Sequence, residues 1–209
     1  MSIKEIELDV SNEAAVNDSV EQTVKEFGRI DYALNNAGIG GSLDTTNNIE
    51  LSDFQRVLAV NTTGVWLCQR AQIRQMLKQE KLNDSIRSYR GSIVNTASMY
   101  GVVGPSLNVP STAYATSKHA VVGLTRADAI AFAGKGIKIN ALCPGYVATP
   151  LVMNSMNSGS VMDDERIKVP LQRLANMDEI GDLVAFLHSE ASSYMIGATL
   201  VADGGFTIQ

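Results

Sequence analysis

Short apolar runs alternate with stretches in which apolar residues recur at helical spacing, and this alternation continues through the whole chain. It predicts a parallel sheet covered by helices, the α/β class. Ile3 to Leu8 reads as a strand. Ser11 can cap a helix that carries Val16, Val20, Val24 and Phe27 on one stripe, and Gly28 supplies its stop. Ile30 to Asn35 is the next strand. A helix over Ser52 to Lys78 turns Phe54, Val57, Leu58 and Val65 inward, and Gly91-Ser92-Ile93-Val94-Asn95 returns as a strand. A helix over Ala113 to Ala133 precedes the strand Ile137 to Leu142 and the turn Pro144-Gly145. Thr149 to Lys168 is polar, Met-rich and weakly periodic, which reads as an excursion and a candidate lid. Asp178 can cap a last helix reaching His188, and Ala198 to Ala202 is a closing strand before Asp203-Gly204-Gly205. No repeat or linker divides the pattern, so residues 1–209 are expected to form one domain.

With 45% hydrophobic and 19% charged positions and a formal net charge of -5, the 209 residues have the make-up of an ordinary soluble globular domain. A chain of this length buries roughly 70% of its unfolded surface, so size alone calls for neither disulfide nor metal. Cys68 and Cys143 lack the spacing of a zinc or redox site and read as small buried hydrophobes, which fits a reducing, cytoplasmic setting without a metal centre. The start, MSIKEIELDV, lacks the basic-then-apolar order of a secretion signal, and no run approaches the roughly 20 apolar residues of a membrane span. The basic residues cluster only briefly, from Arg87 to Arg90, so neither nucleic acid nor membrane is an expected partner. A small molecule remains.

The spacing Tyr114-Ala115-Thr116-Ser117-Lys118 puts a phenol and an ammonium on one helix face, one turn apart. A nearby positive charge favours phenolate, so Lys118 is expected to lower the Tyr114 pKa from about 10 toward the range of a general acid or base. Such pairs also occur on ordinary helices. Ser98 ends a strand at the carboxyl edge of the sheet, where open α/β sheets bind ligands. It reads either as a hydrogen-bond donor to a substrate oxygen or as a turn residue before Gly101. Asn35-Asn36-Ala37-Gly38 ends another strand at that edge, as a ligand-approaching turn or a simple one. Asn61 interrupts an apolar helix next to Gly64, where its amide needs a partner; a structural bond and a proton-relay role fit equally well.

Together these residues resemble the short-chain dehydrogenase/reductase family, over essentially the whole chain from Ile6 onward. Asn35-Asn36-Ala37-Gly38 is similar to the family's N-N-A-G turn, Asn61 to its helix asparagine, Ser98 to its serine, and Tyr114 with Lys118 to its Y-x-x-x-K pair. Leu8-Asp9-Val10 resembles the segment whose aspartate lies near the adenine, and Pro144-Gly145-Tyr146-Val147-Ala148-Thr149 resembles the P-G-x-x-x-T segment. There the Val147 backbone and Thr149 side chain would hold the nicotinamide carboxamide. Asp203-Gly204-Gly205 resembles the usual ending. Ser98 and Tyr114 stand 16 apart, more than is usual, so the loop with Pro105 and Pro110 carries about three extra residues, which loops accept at small closure cost.

The resemblance implies a doubly wound, Rossmann-like parallel sheet and hydride transfer between NAD or NADP and a carbonyl or secondary alcohol of a small, hydrophobic or cyclic substrate. Tyr114 would protonate the developing alkoxide, helped by Ser98. Lys118 would tune Tyr114 and bond the nicotinamide ribose, and Asn61 would support a water chain. Asp9, Asn36, Ala37, Gly38, Tyr114, Lys118, Pro144, Gly145, Val147 and Thr149 would line the cofactor, and Met99, Tyr100, Tyr146 and the Thr149-to-Lys168 excursion the substrate. A homo-oligomer, dimer or tetramer, would form through the two long helices. The family's opening strand, T-G-x-x-x-G-x-G turn and helix have no counterpart here; Gly38-Ile39-Gly40-Gly41 opens no helix and does not replace them. The expectation is therefore an N-terminally truncated sheet, a gene model begun at an internal methionine being the favoured cause. The competing functions are an inactive binding or scaffold protein and an epimerase or dehydratase on the same frame.

Overall fold

The computed structural model describes residues 2–150, 152–153 and 161–209. Its strands β1 (Tyr32–Asn35), β2 (Gly91–Thr96), β3 (Ile137–Pro144) and β4 (Thr199–Ala202) form one all-parallel sheet in that order. Parallel neighbours need crossovers, and helices supply them. Helix α1 is Glu13–Phe27; α2 (Leu51–Leu58) runs through a π-helical turn, Ala59–Gly64, into α3 (Val65–Met76); α4 is Thr112–Ala133; α5 is Val161–Ile167 and α6 is Met177–His188.

Successive residues of β2 and β3 face opposite ways, and both faces are covered. Ile93 and Ile139 pack with Ile73 and Met76 of α3 and Ala129 of α4, while Val94 and Leu142 pack under Leu187 of α6. All four carboxyl ends therefore point the same way, delivering Asn36–Gly38, Ala97–Ser98, Gly145–Thr149 and Asp203 to one edge.

An amide network fixes how the helices sit on this sheet. Asn95 of β2 donates to Gln69 Oε1 of α3 at 2.6 Å and Thr125 Oγ1 of α4 at 2.9 Å, and accepts from Asn35 of β1 at 2.9 Å. Gln72 and Asn35 exchange amide bonds at 2.8 and 3.1 Å, and Gln69 donates to Asp128 at 2.6 Å. These bonds hold α4 at one register against β2.

Several local expectations are corrected. Ile3–Leu8 is not a strand: no described strand lies beside it, and extended backbone without a ladder partner is not a sheet element. The cap of α1 is Asn12, whose Oδ1 accepts from Ala15 N at 3.1 Å, because the Ser11 hydroxyl is turned to Asp9. Phe27 lies exposed beyond the apolar stripe. The cap of α6 is Asn176, closing a capping box with Glu179, two positions before the expected Asp178. The long helix expected from Ser52 begins at Leu51, ends at Met76 and is interrupted at Asn61. Within the Met-rich excursion, residues 151 and 154–160 lie outside the described residues.

Candidate active site

Ser98 follows β2 in extended conformation, and its Oγ accepts from Tyr100 N at 3.1 Å, capping the short 3-10 turn Met99–Gly101. That turn lies against α4 so closely that a Cβ on Gly101 would stand 2.7 Å from the Lys118 carbonyl oxygen. Glycine thus sets the distance between the serine turn and the helix that carries Tyr114 and Lys118. Ser98 and Tyr114 share the wall of one cavity of about 330 Å³ with Met99, Tyr100, Val109, Ser111 and Tyr146. Lys118 is buried a turn deeper, its Nζ 5.5 Å from the Tyr114 ring centroid and donating to Thr96 O at 2.8 Å.

The electrostatics differ from the expectation for Tyr114. Burial pushes its phenol above the usual value and outweighs the opposing hydrogen bond from Ser98, while Tyr100 and Cys143 push the same way as burial. The ammonium does not reverse this because it is directed over the ring to Thr96 O and is itself strained by burial. Burial lowers the Lys118 pKa from 10.5 to about 8, with Cys143 opposing.

That shift has a sign that can be checked. Between about 8 and 10.5 the unfolded chain keeps a proton on Lys118 that the folded chain has released, so stability rises with pH across this window. The cost of charging the buried amine is fully present below about 8. Lys118→Met should flatten the rise by about 2 kcal/mol, read from urea unfolding at about pH 7.5 and about pH 10. Lys138, also lowered to about 8 by burial, contributes equally to both proteins. An equal rise in the variant would refute the assignment.

Asn61 sits in the π-helical turn, a relaxed stretch of ladder that recurs at functional positions. Its Oδ1 accepts from Ile39 N at 2.8 Å, and its Nδ2 donates to Ile39 O at 2.9 Å and Ser117 Oγ at 3.0 Å. Both amide hydrogens are therefore engaged, and the side chain clamps the turn after β1 to α4. The amide therefore makes the structural bond that its place inside a helix calls for.

A second, narrower cavity of about 180 Å³ lies between α1, α3 and the end of β1, with Leu8, Val10, Asn36, Ala37 and Gly64 on its wall. Asp9 falls between two of these residues but spends its carboxylate on Ser11, at 2.9 Å to N and 2.7 Å to Oγ; these bonds hold its pKa below the usual range. Gly38 follows in the same turn: a Cβ there would stand 3.5 Å from both Lys118 Nζ and Asn61 Oδ1. Pro144 closes β3. A Cβ on Gly145 would stand 2.6 Å from Asp203 Cα, so this turn packs directly on the end of β4. Val147 pairs with Ala175 in an isolated bridge, and among the described residues the Thr149 hydroxyl accepts only a long 3.5 Å bond from Val152 N. The space kept open by Gly38 over Lys118, together with the weakly held Thr149 hydroxyl, fits a nicotinamide nucleotide laid along this edge.

Sequence reasoning placed Tyr100 and Tyr146 at the substrate but missed the bonds and the Phe206 contact that join them into a roof over the larger cavity. The Tyr100 and Tyr146 hydroxyls meet at 2.6 Å, and Tyr146 donates to buried Glu165 at 3.2 Å. Glu165 also accepts from Ser106 at 2.6 Å and Lys168 at 2.5 Å. Phe206 stands edge-on to both tyrosine rings, with centroids 6.3 and 5.7 Å away. Glu165 and Lys168 stand three apart, but no short spacing links them to Tyr100, Tyr146 or Phe206. Ser111, also missed, stands three positions before Tyr114, a helical spacing that could have marked it.

Residues 2–207 match the family model described as enoyl-(acyl carrier protein) reductase. Among curated proteins the chain is 39% identical over 211 residues to short-chain dehydrogenase fogB of Aspergillus ruber, covering 97% of this chain and 76% of that protein. It is 37% identical over 200 residues to 2,5-dichloro-2,5-cyclohexadiene-1,4-diol dehydrogenase of Sphingobium indicum, covering 95% and 76%. Among solved structures it superposes on NAD+-bound xylitol dehydrogenase with a TM-score of 0.82 at 36% identity, covering 94% of this chain and 76% of that one. On ElxO with NADP bound the TM-score is 0.85 at 34% identity, covering 98% and 78%. No helix among the described residues is long and apolar enough to cross a membrane.

Proposed function

Because this chain belongs to the short-chain dehydrogenase/reductase family, and is an NAD(P)-dependent oxidoreductase acting on a small molecule, we propose that Tyr114 is its general acid and base, with Ser98 and Lys118 as its partners. The observation that carries this reading is the shared cavity wall of Ser98 and Tyr114 with Lys118 one turn away. The nicotinamide, when bound, supplies the hydride for carbonyl reduction or accepts it in alcohol oxidation. In reduction Ser98 Oγ donates to the substrate oxygen and Tyr114 Oη passes it a proton as carbon gains the hydride. The raised phenol pKa keeps Tyr114 in the protonated form this direction requires. Lys118 then steadies the phenolate left behind, and Asn61 keeps the Asn36–Gly38 turn against α4.

Tyr114, Lys118, Asp9, Asn36, Ala37, Gly38, Pro144, Gly145, Val147 and Thr149 are the proposed cofactor contacts. The apolar and aromatic wall of the cavity favours a hydrophobic or cyclic alcohol or ketone, as the name of the Sphingobium relative suggests for that protein. A cytoplasmic homo-oligomer, dimer or tetramer, is inferred from the free thiols Cys68 and Cys143 and from exposed Trp66 on α3 and Ile130 on α4, apolar surface that a second copy would cover. The test is to mix the protein with NAD or NADP and a panel of cyclic secondary alcohols and follow reduced-nicotinamide absorbance. Substrate-dependent reduction is expected; none with any alcohol would overturn the reading.

A further inference from the structure

Ser111 is the N-cap of α4, the position at which a serine oxygen ordinarily accepts from a first-turn N–H. Asn12 does this for α1 and Ser98 for its own short turn, but Ser111 caps nothing. Its hydroxyl is buried, the residue being 4% exposed, and has no hydrogen-bond partner. A buried hydroxyl left unpaired costs stability and calls for an explanation.

The explanation lies in the cavity it borders. Ser111 lines the same wall as Ser98 and Tyr114, and around them the lining is largely apolar, with Met99, Val109 and Val152. The Tyr100 and Tyr146 hydroxyls are already spent on each other and on Glu165. Ser111 is therefore the hydroxyl of this wall with no partner of its own, able both to donate and to accept. A serine oxygen moves between staggered positions by one bond rotation, so a ligand in the cavity can draw it outward. Residues three apart at a helix face have Cβ atoms roughly 5–6 Å apart, so one small ligand in the shared cavity can touch both Ser111 and Tyr114.

We propose that Ser111 is a specificity-determining residue that hydrogen-bonds a second oxygen of the substrate, making the preferred substrate a ring that carries two oxygen functions, such as a cyclic dione, hydroxyketone or diol. The inference rests on the reading that Ser98 and Tyr114 hold the first, reacting oxygen. Ser111 acts through binding, not through proton transfer.

The experiment is an NMR titration of the full chain, and of Ser111→Ala and Tyr114→Phe, with cyclohexane-1,4-dione and with cyclohexanone. Ser111→Ala should weaken the dione by about tenfold, the size of one hydrogen bond, and leave cyclohexanone unchanged. Its melting temperature should be unchanged or higher, since the deleted hydroxyl has no partner in the free protein. Equal effects on both ketones, no effect on either, or a lowered melting temperature would overturn the proposal. Tyr114→Phe should weaken both ketones. If it weakens neither while Ser111→Ala still separates the two, the Ser111 subsite stands and the role given to Tyr114 falls.

Discussion

Tyr114→Phe is expected to keep the fold and lower turnover by about 10²–10⁴-fold, the usual contribution of a positioned general acid or base. Phenylalanine retains the ring that packs against the cluster of Met99, Tyr100, Val109 and Ala115, so the lost atom is the phenol oxygen alone. That oxygen receives the Ser98 hydrogen bond and borders the cavity in which the proposed proton transfer would occur. Steady-state rates with a cyclic alcohol, beside circular dichroism and a melting curve, separate chemistry from folding. A variant that turns over at the original rate would remove Tyr114 from the mechanism. A variant that unfolds would instead show the hydroxyl to be structural, contrary to the packing described.

Asn95→Ala should destabilise the protein by about 2–4 kcal/mol, because it orphans several buried polar groups at once. Gln69 Oε1 and Thr125 Oγ1 would lose their donor and Asn35 Nδ2 would lose an acceptor, in a region with no water-facing alternative. Urea denaturation gives the loss directly. A change below about 0.5 kcal/mol, the range of ordinary surface substitutions, would show that these amides find other partners and that α4 is held by apolar packing alone. The wider consequence concerns position. Thr125 and Asp128 lie on the helix that carries Tyr114 and Lys118, so the network that stabilises the sheet also aims the site.

The sheet and its helices were legible because buried parallel strands must read as short apolar runs and crossover helices as periodic ones; β2, β3 and α4 lie within a residue or two of their expected limits. Boundaries that depend on one side chain's choice were not. Ser11 and Asn12 are both competent caps, and only the competing pull of Asp9 on Ser11 decides between them. Tyr114, Lys118 and Ser98 were legible through a four-residue spacing and a strand end. The direction of the Tyr114 shift was not, because burial is a property of everything packed around the phenol, whereas spacing reports a single neighbour. The Tyr146–Glu165–Lys168 roof was invisible for a related reason: Tyr146 and Glu165 lie 19 residues apart within the connection from β3 to β4, and no local spacing announces their meeting.

Phe206, in the turn beyond β4, leans its ring on Tyr100 and Tyr146 at once. The cavity in which Ser98 and Tyr114 meet is thus braced from a segment that supplies neither proton nor hydrogen bond to it. Exchanging this brace would reshape what the cavity admits while Tyr114, Lys118 and Ser98 stay untouched.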